Sequence, residues 1–138
     1  MAAELTTKKA LNLAAAKEIA AAAEKEARAN KWNVVIAVVD EGANLILLQR
    51  MDETQIGSID VAIAKAQSAV KFKRPTKVFE DALKGGRQAI LKLPGAIPVE
   101  GGLPIQADGR VIGAIGVSGV QSFEDAQIAA AGLKVVGQ

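Results

Sequence analysis

Leu11, Ala15, Ile19, Ala22 and Ala23 recur at helical spacing through residues 6–30, and Lys17, Glu24, Lys25 and Arg28 fill positions between them. That spacing draws one narrow apolar stripe down a helix. Thr6 or Thr7 is placed to cap its start, and Asn30 to stop it. The period then changes. NVVIAVVD (33–40) and NLILLQRM (44–51) are apolar runs without clean alternation. Such runs belong to strands covered on both faces. DEGAN between them is turn chemistry, with Gly42 free to take a positive φ. The two runs therefore predict an antiparallel hairpin.

Residues 55–72 return to the helical period. Ile56, Ile59, Ile63, Ala66 and Val70 form a core seam, and Asp60, Gln67 and Lys71 a polar edge. Pro75 suits the first turn of a further helix, PTKVFEDALK, which Gly85–Gly86 ends. RQAILKL is a short helix that stops before Pro94. AIPV (96–99) reads as a short edge strand, because Pro98 cannot donate to a ladder. GLPIQ and RVIGAIGVSG are strands joined through ADG. SFEDAQIAAAGLKVV (122–136) is the last helix, with Ser122 as its N-cap and Glu124 and Asp125 in the first turn, where the dipole favours acids. This order predicts one domain, residues 1–138, of α/β class. It is a three-layer α/β/α sandwich around a five-stranded, mostly antiparallel sheet.

The stretch VEGGLPIQADGRVIGAIGVSG (99–119) holds six of the thirteen glycines. Its spacing is neither G-x-G-x-x-G nor a P-loop, since Lys-Ser/Thr does not follow. Glycine inside a strand costs about 0.5–1 kcal/mol relative to alanine, so it marks a geometric need. Gly113 and Gly116, three apart, point to opposite faces of their strand and thin both. The Ala-rich first helix and the AQIAAAG segment are suited to press there. Gly101–Gly102 read as a bent, exposed loop whose N–H groups face a ligand.

Charge and composition narrow the chemistry. With 17 basic and 15 acidic residues and 3% aromatics, the chain has neither a basic stripe nor stacking side chains, so no nucleic-acid partner is expected. KFKR (71–74) is the one basic run, either a solvated helix end or an anion site. His, Cys and Tyr are absent. That excludes disulfides, Cys/His zinc sites, Ser-His-Asp and Cys-His catalysis, and a histidine proton shuttle. No metal site is expected. KKALNLAAAKE is too polar for a signal segment and no run is long enough to span a bilayer, so a cytoplasmic protein without a membrane partner is expected. Flat, small-residue faces suit contacts in a homo-oligomer.

QRMD, AIAKAQSAVKF followed by PT, EGGLPI, GRVIGAIGVSG and EDAQIAAAGL occur in that order across nearly the whole chain. Together they resemble the GlcG/HbpS-like family, the heme-degrading domain family that includes the C-terminal domain of PduO cobalamin adenosyltransferases. The resemblance implies a profilin-like α/β/α fold, oligomers, and heme binding or degradation in some members. Others accompany glycolate, diol or glycerol metabolism. This chain departs from the heme-binding members where their histidine ligand would stand. Only Met1, Met51 or an unusual Lys is left as an axial donor.

Several residues are candidates for a site. Lys65 has Val61 and Ala69 one turn away, so it is either a desolvated amine for an anion or carbonyl, or a stem lying over apolar surface. Arg50 at a strand end either grips a carboxylate or pairs with Asp52. Glu100 is a general-base candidate or a solvated loop acid. Ser118 is a hydrogen-bonding group but, lacking a base, not a nucleophile. The expected function is a small-ligand-binding domain, accessory to small-molecule metabolism, with the ligand between the Gly101–Gly102 loop and the Lys65 helix. The alternative is a lyase, isomerase or hydrolase acting on a small hydroxy or keto acid with Lys65 and a carboxylate such as Glu100.

Overall fold

The computed structural model describes residues 1–138. Four helices and four strands follow the order α1 (Leu13–Ala29), β1 (Val35–Asp40), β2 (Leu45–Arg50), α2 (Ser58–Phe72), α3 (Lys77–Lys84), β3 (Gly102–Ala107), β4 (Arg110–Ser118) and α4 (Ser122–Leu133). A short 3-10 turn, Gln88–Lys92, separates α3 from β3. The sheet is wholly antiparallel, in the order β2-β1-β4-β3. It has four strands, not five. The segment 96–99 joins no ladder, because its N–H groups are used elsewhere: Ala96 donates to the Leu93 carbonyl and Ile97 to Ser68 Oγ, and Pro98 has none to give.

Both faces of the sheet are covered, which is why β1 is apolar from Val35 to Val39. Ile36 and Val38 join one core with α1 and α4, through Ile19, Ala23, Ile115, Val117 and Ile128. Val35, Ala37 and Val39 join a second core with the alanines of α2 and with Ala114. At roughly 25 cal/mol per Å² of buried apolar surface, these two cores are the main stabilising contribution.

Gly102 and Gly116 are cross-strand partners on β3 and β4. A Cβ on Gly116 would lie 2.0 Å from the Ala62 carbonyl oxygen, and one on Gly102 would lie 2.3 Å from that of Lys65. This glycine pair is a seat on which the α2 backbone rests directly. Gly113 faces the other way, but no helix presses on it. Its Cβ would meet the Val39 carbonyl at 2.4 Å and the Leu11 side chain at 2.9 Å. The β3–β4 register slips between Ile105 and Gln106, next to the Ile105–Gly113 pair. The glycine that brings helices together on this face is Gly132 of α4, which packs on the α1 backbone at Ile19.

Chain ends and turns refine the expected boundaries. α1 starts at Leu13, capped by Asn12 Oδ1 accepting from Ala15 N at 2.8 Å, so Thr6 and Thr7 do not cap it. Residues before it lie as a strap over the two hairpin turns, through Lys8–Glu41 and Lys9–Asp108 ion pairs. α4 is capped by Gln121 rather than Ser122, in a capping box with Glu124. In the β1–β2 turn Ala43, not Gly42, takes the positive φ, while Asp40 Oδ1 accepts from the N–H groups of Gly42 and Asn44. The expected β3–β4 hairpin forms with a two-residue turn, Asp108 and Gly109 at φ 51° and 76°, because Ala107 of ADG is still paired with Arg110.

Candidate functional site

Antiparallel pairing sets Val35 of β1 opposite both Arg50 of β2 and Ser118 of β4, and Gly102 of β3 lies beside Gly116. One end of the sheet therefore gathers Arg50 and Asp52, Ser118, and the loop Glu100–Gly102. α2 and the start of α4 add Lys65 and Asp125 to the same end.

Lys65 is the most constrained of these. Its side chain is only 1% exposed. The ammonium donates to Asp125 Oδ2 at 3.0 Å and to the Val117 carbonyl at 2.9 Å. Asp125 is 2% exposed, and its other oxygen accepts from Val120 N at 3.1 Å. Burial pushes the Asp125 carboxyl up from 3.8 to about 6, against the pull of the Lys65 charge and hydrogen bond, which lower it. Gly101 has φ +133°, and a Cβ there would stand 2.8 Å from both Lys65 Nζ and the Val117 oxygen. The glycine loop thus clears a passage for a lysine side chain crossing the end of the sheet to reach α4. The loop is clamped by Thr76, whose N–H donates to the Gly102 carbonyl and whose Oγ1 accepts from Gly102 N, both at 3.0 Å.

This arrangement changes the expected pocket. Gly101 and Gly102 are buried rather than exposed, and the space foreseen between loop and α2 holds the Lys65 side chain. No cavity is lined by Lys65, Glu100, Gly101, Gly102 or Ser118. Glu100 donates its N–H to Glu80 Oε1 at 3.2 Å, and Ser122 Oγ reaches the same oxygen at 3.4 Å. Ser118 Oγ donates to Ser58 Oγ at 3.2 Å, and Gln55 Nε2 donates to that Ser58 oxygen at 2.9 Å. Thr76 and Glu80, which hold the loop, carry no signal in the sequence beyond their place in a helix start. Asp125 is legible there only as an acid in a first turn.

Arg50 and Asp52 are different. Both are exposed and they form no ion pair with each other or with any other residue. They edge a polar hollow of about 160 Å³, completed by Glu24, Arg28, Gln49 and Met51. Glu24 is already engaged, accepting from Arg28 Nε and Gln49 Nε2, each at 2.7 Å. Two unpaired charges therefore stand at the hollow, the Asp52 carboxylate and the Arg50 guanidinium, and the guanidinium is a planar fork suited to a carboxylate. At ~30 Å³ per water the hollow has the capacity of about five waters, the size of a short organic acid.

A model of the family described as "Haem degrading protein HbpS-like" matches residues 11–134. Protein GlcG of Escherichia coli K12 is 40% identical over 114 residues, covering 83% of this chain and 85% of that one. The crystal structure of Klebsiella pneumoniae protein ORFY superposes with a TM-score of 0.89 at 36% identity, covering 97% of this chain and 95% of that chain. A structure described as a PduOC:heme complex superposes with a TM-score of 0.85 at 25% identity, covering 94% and 96%.

Proposed function

This chain belongs to the HbpS-like family, and we propose that it is a small-ligand-binding domain, accessory to small-molecule metabolism, whose ligand is a short organic acid held by Arg50. The observation that carries this reading is the contrast between two cations at one end of the sheet. Lys65 is buried and fully engaged, whereas Arg50 is exposed and unpaired beside a polar hollow.

Heme held by an axial His, Cys or Tyr does not fit these residues. His, Cys and Tyr are absent from the chain. Met51 is 7% exposed and packed in the core beneath α1 and α4. Lys65 is spent on Asp125 and Val117. The enzyme alternative needs a free Lys65 beside a free carboxylate, and the Lys65–Asp125 contact argues for the binding reading over it. A homo-oligomer, expected from the small-residue faces, is part of this proposal. No helix is long and apolar enough to cross a membrane. A cytoplasmic setting is part of the same proposal.

Isothermal titration with two- to four-carbon hydroxy and keto acids tests the site. Binding is expected in the parent and about tenfold weaker or worse in Arg50→Gln, the loss of one charge-assisted contact of about 1.5–3 kcal/mol. Equal affinity in Arg50→Gln overturns the assignment. Hemin titration followed by absorbance is expected to leave the Soret band at the position of free hemin. A shifted band of the kind an axial nitrogen or sulfur ligand produces would overturn the heme argument.

A further inference from the structure

At the opposite end of the sheet, where both hairpin turns lie, a hollow of about 420 Å³ opens between the end of α2 and the start of β4. Lys71 and Lys73 reach it from the α2 terminus and Arg110 from β4. Lys8 and Glu41 also line it, but they are paired with each other. Lys71, Lys73 and Arg110 have no carboxylate partner. Three cations therefore surround one concavity in a chain whose net charge is only +2. Like charges gathered in a cleft repel, and their field concentrates anions there.

The local backbone shows how the cations are delivered. The run KFKR divides. Phe72 packs edge-on against Phe79 with ring centroids 5.2 Å apart, and Arg74 lies over the same Phe79 ring at 6.0 Å. Lys71 and Lys73 are left for the hollow. Lys73 ends α2 in the left-handed conformation, φ 55° and ψ 40°. A glycine is at ease there, while a side chain costs about 1–2 kcal/mol. Favourable interaction with the helix C-terminus accounts for cations on α2. It does not account for Arg110, which another element brings to the same place. The floor is Val70, 4% exposed, together with Val111.

We propose that this hollow binds a small polyanion carrying two or more anionic oxygen groups, a polycarboxylate or a phosphate ester. Its charges rest on Arg110, Lys73 and Lys71, and its carbon skeleton lies against Val70 and Val111. Arg110 supplies the bidentate contact and the lysines supply point charges. At ~30 Å³ per water, the volume is that of about fourteen waters, which admits a six-carbon acid or a triose phosphate. The site is separate from the Arg50 hollow and stands or falls independently of it.

Isothermal titration at low ionic strength with citrate, glycerol 3-phosphate and inorganic phosphate tests this. At least one probe is expected to bind, with affinity falling as salt is raised. Preference for citrate over both phosphates assigns the polycarboxylate class, and the reverse assigns the phosphate class. Arg110→Gln with Lys73→Gly is expected to weaken binding tenfold or more while melting no lower than the parent, since glycine relieves the left-handed cap. Arg50→Gln is expected to leave it unchanged. Failure of all three probes to bind, undiminished binding by the Arg110→Gln/Lys73→Gly variant, or loss of binding in Arg50→Gln each overturns the proposal.

Discussion

Replacing Lys65 by Met keeps an unbranched stem of similar length and removes the ammonium. Asp125 is then a carboxylate 2% exposed with Val120 N as its remaining donor, and the Val117 carbonyl loses a partner. Breaking a buried pair from one side costs about 3–5 kcal/mol, and the orphaned carbonyl adds on the order of 1 kcal/mol. For 138 residues the unfolding entropy near the midpoint is about 0.3 kcal/mol per degree, so the melting temperature should fall by roughly 13–20 °C at pH 7. The deficit should depend on pH, with a definite sign. The folded Asp125 has a pKa raised to about 6 from 3.8, so between those values the folded state holds more protons than the unfolded one. Stability from this group is therefore fully present below 3.8 and declines as pH rises toward about 6. Above that the parent's contribution is level. In Lys65→Met the two influences that lower the Asp125 pKa are gone, so the decline continues above 6. The assay is urea unfolding followed by circular dichroism at several pH values from 5 to 8. The gap between parent and variant should widen with pH. The pair Lys65→Met/Asp125→Asn, which leaves no buried charge, should recover most of the loss. A gap that is constant from pH 5 to 8, or a loss below about 1 kcal/mol at pH 7, would refute the reasoning.

Three further outcomes follow from backbone contacts. Gly116→Ala drives a Cβ to 2.0 Å from the Ala62 carbonyl and must lift α2 from its seat; a loss of at least about 3 kcal/mol in urea unfolding is expected. Gly101→Ala combines a positive φ with contacts of 2.8 Å to Lys65 Nζ and the Val117 oxygen, and should cost on the order of 2–4 kcal/mol in the same assay. Asn12→Ala removes the acceptor for Ala15 N and should cost about 1 kcal/mol, whereas Thr6→Ala and Thr7→Ala should cost nothing measurable.

Periodicity made the helices and the four strands legible, because β1, with five successive apolar residues before Asp40, fits between two covered faces. AIPV has the length and apolar character of a strand, but it runs as irregular chain whose N–H groups are taken by the Leu93 carbonyl and Ser68 Oγ. The strap before α1 has helical apolar spacing at Leu11, yet Leu11 packs beside Gly113 across the sheet, a contact no local pattern encodes. The candidate residues converge on one sheet end, and their chain positions show this once the hairpins are paired. The partner of Lys65 is 60 residues away on α4, so the choice between a free amine and a satisfied one lay in tertiary structure. The same is true of Arg50, whose two readings differ only in whether Asp52 turns toward it.

At this end of the sheet Arg50 is the open cation and Lys65 the closed one. A crystal structure of the chain soaked with a short 2-hydroxy acid tests that most directly. The expected result is a carboxylate on the Arg50 guanidinium, with Lys65 Nζ still about 3 Å from Asp125. A carboxylate on Lys65 with that ion pair broken, and Arg50 left bare, would contradict it.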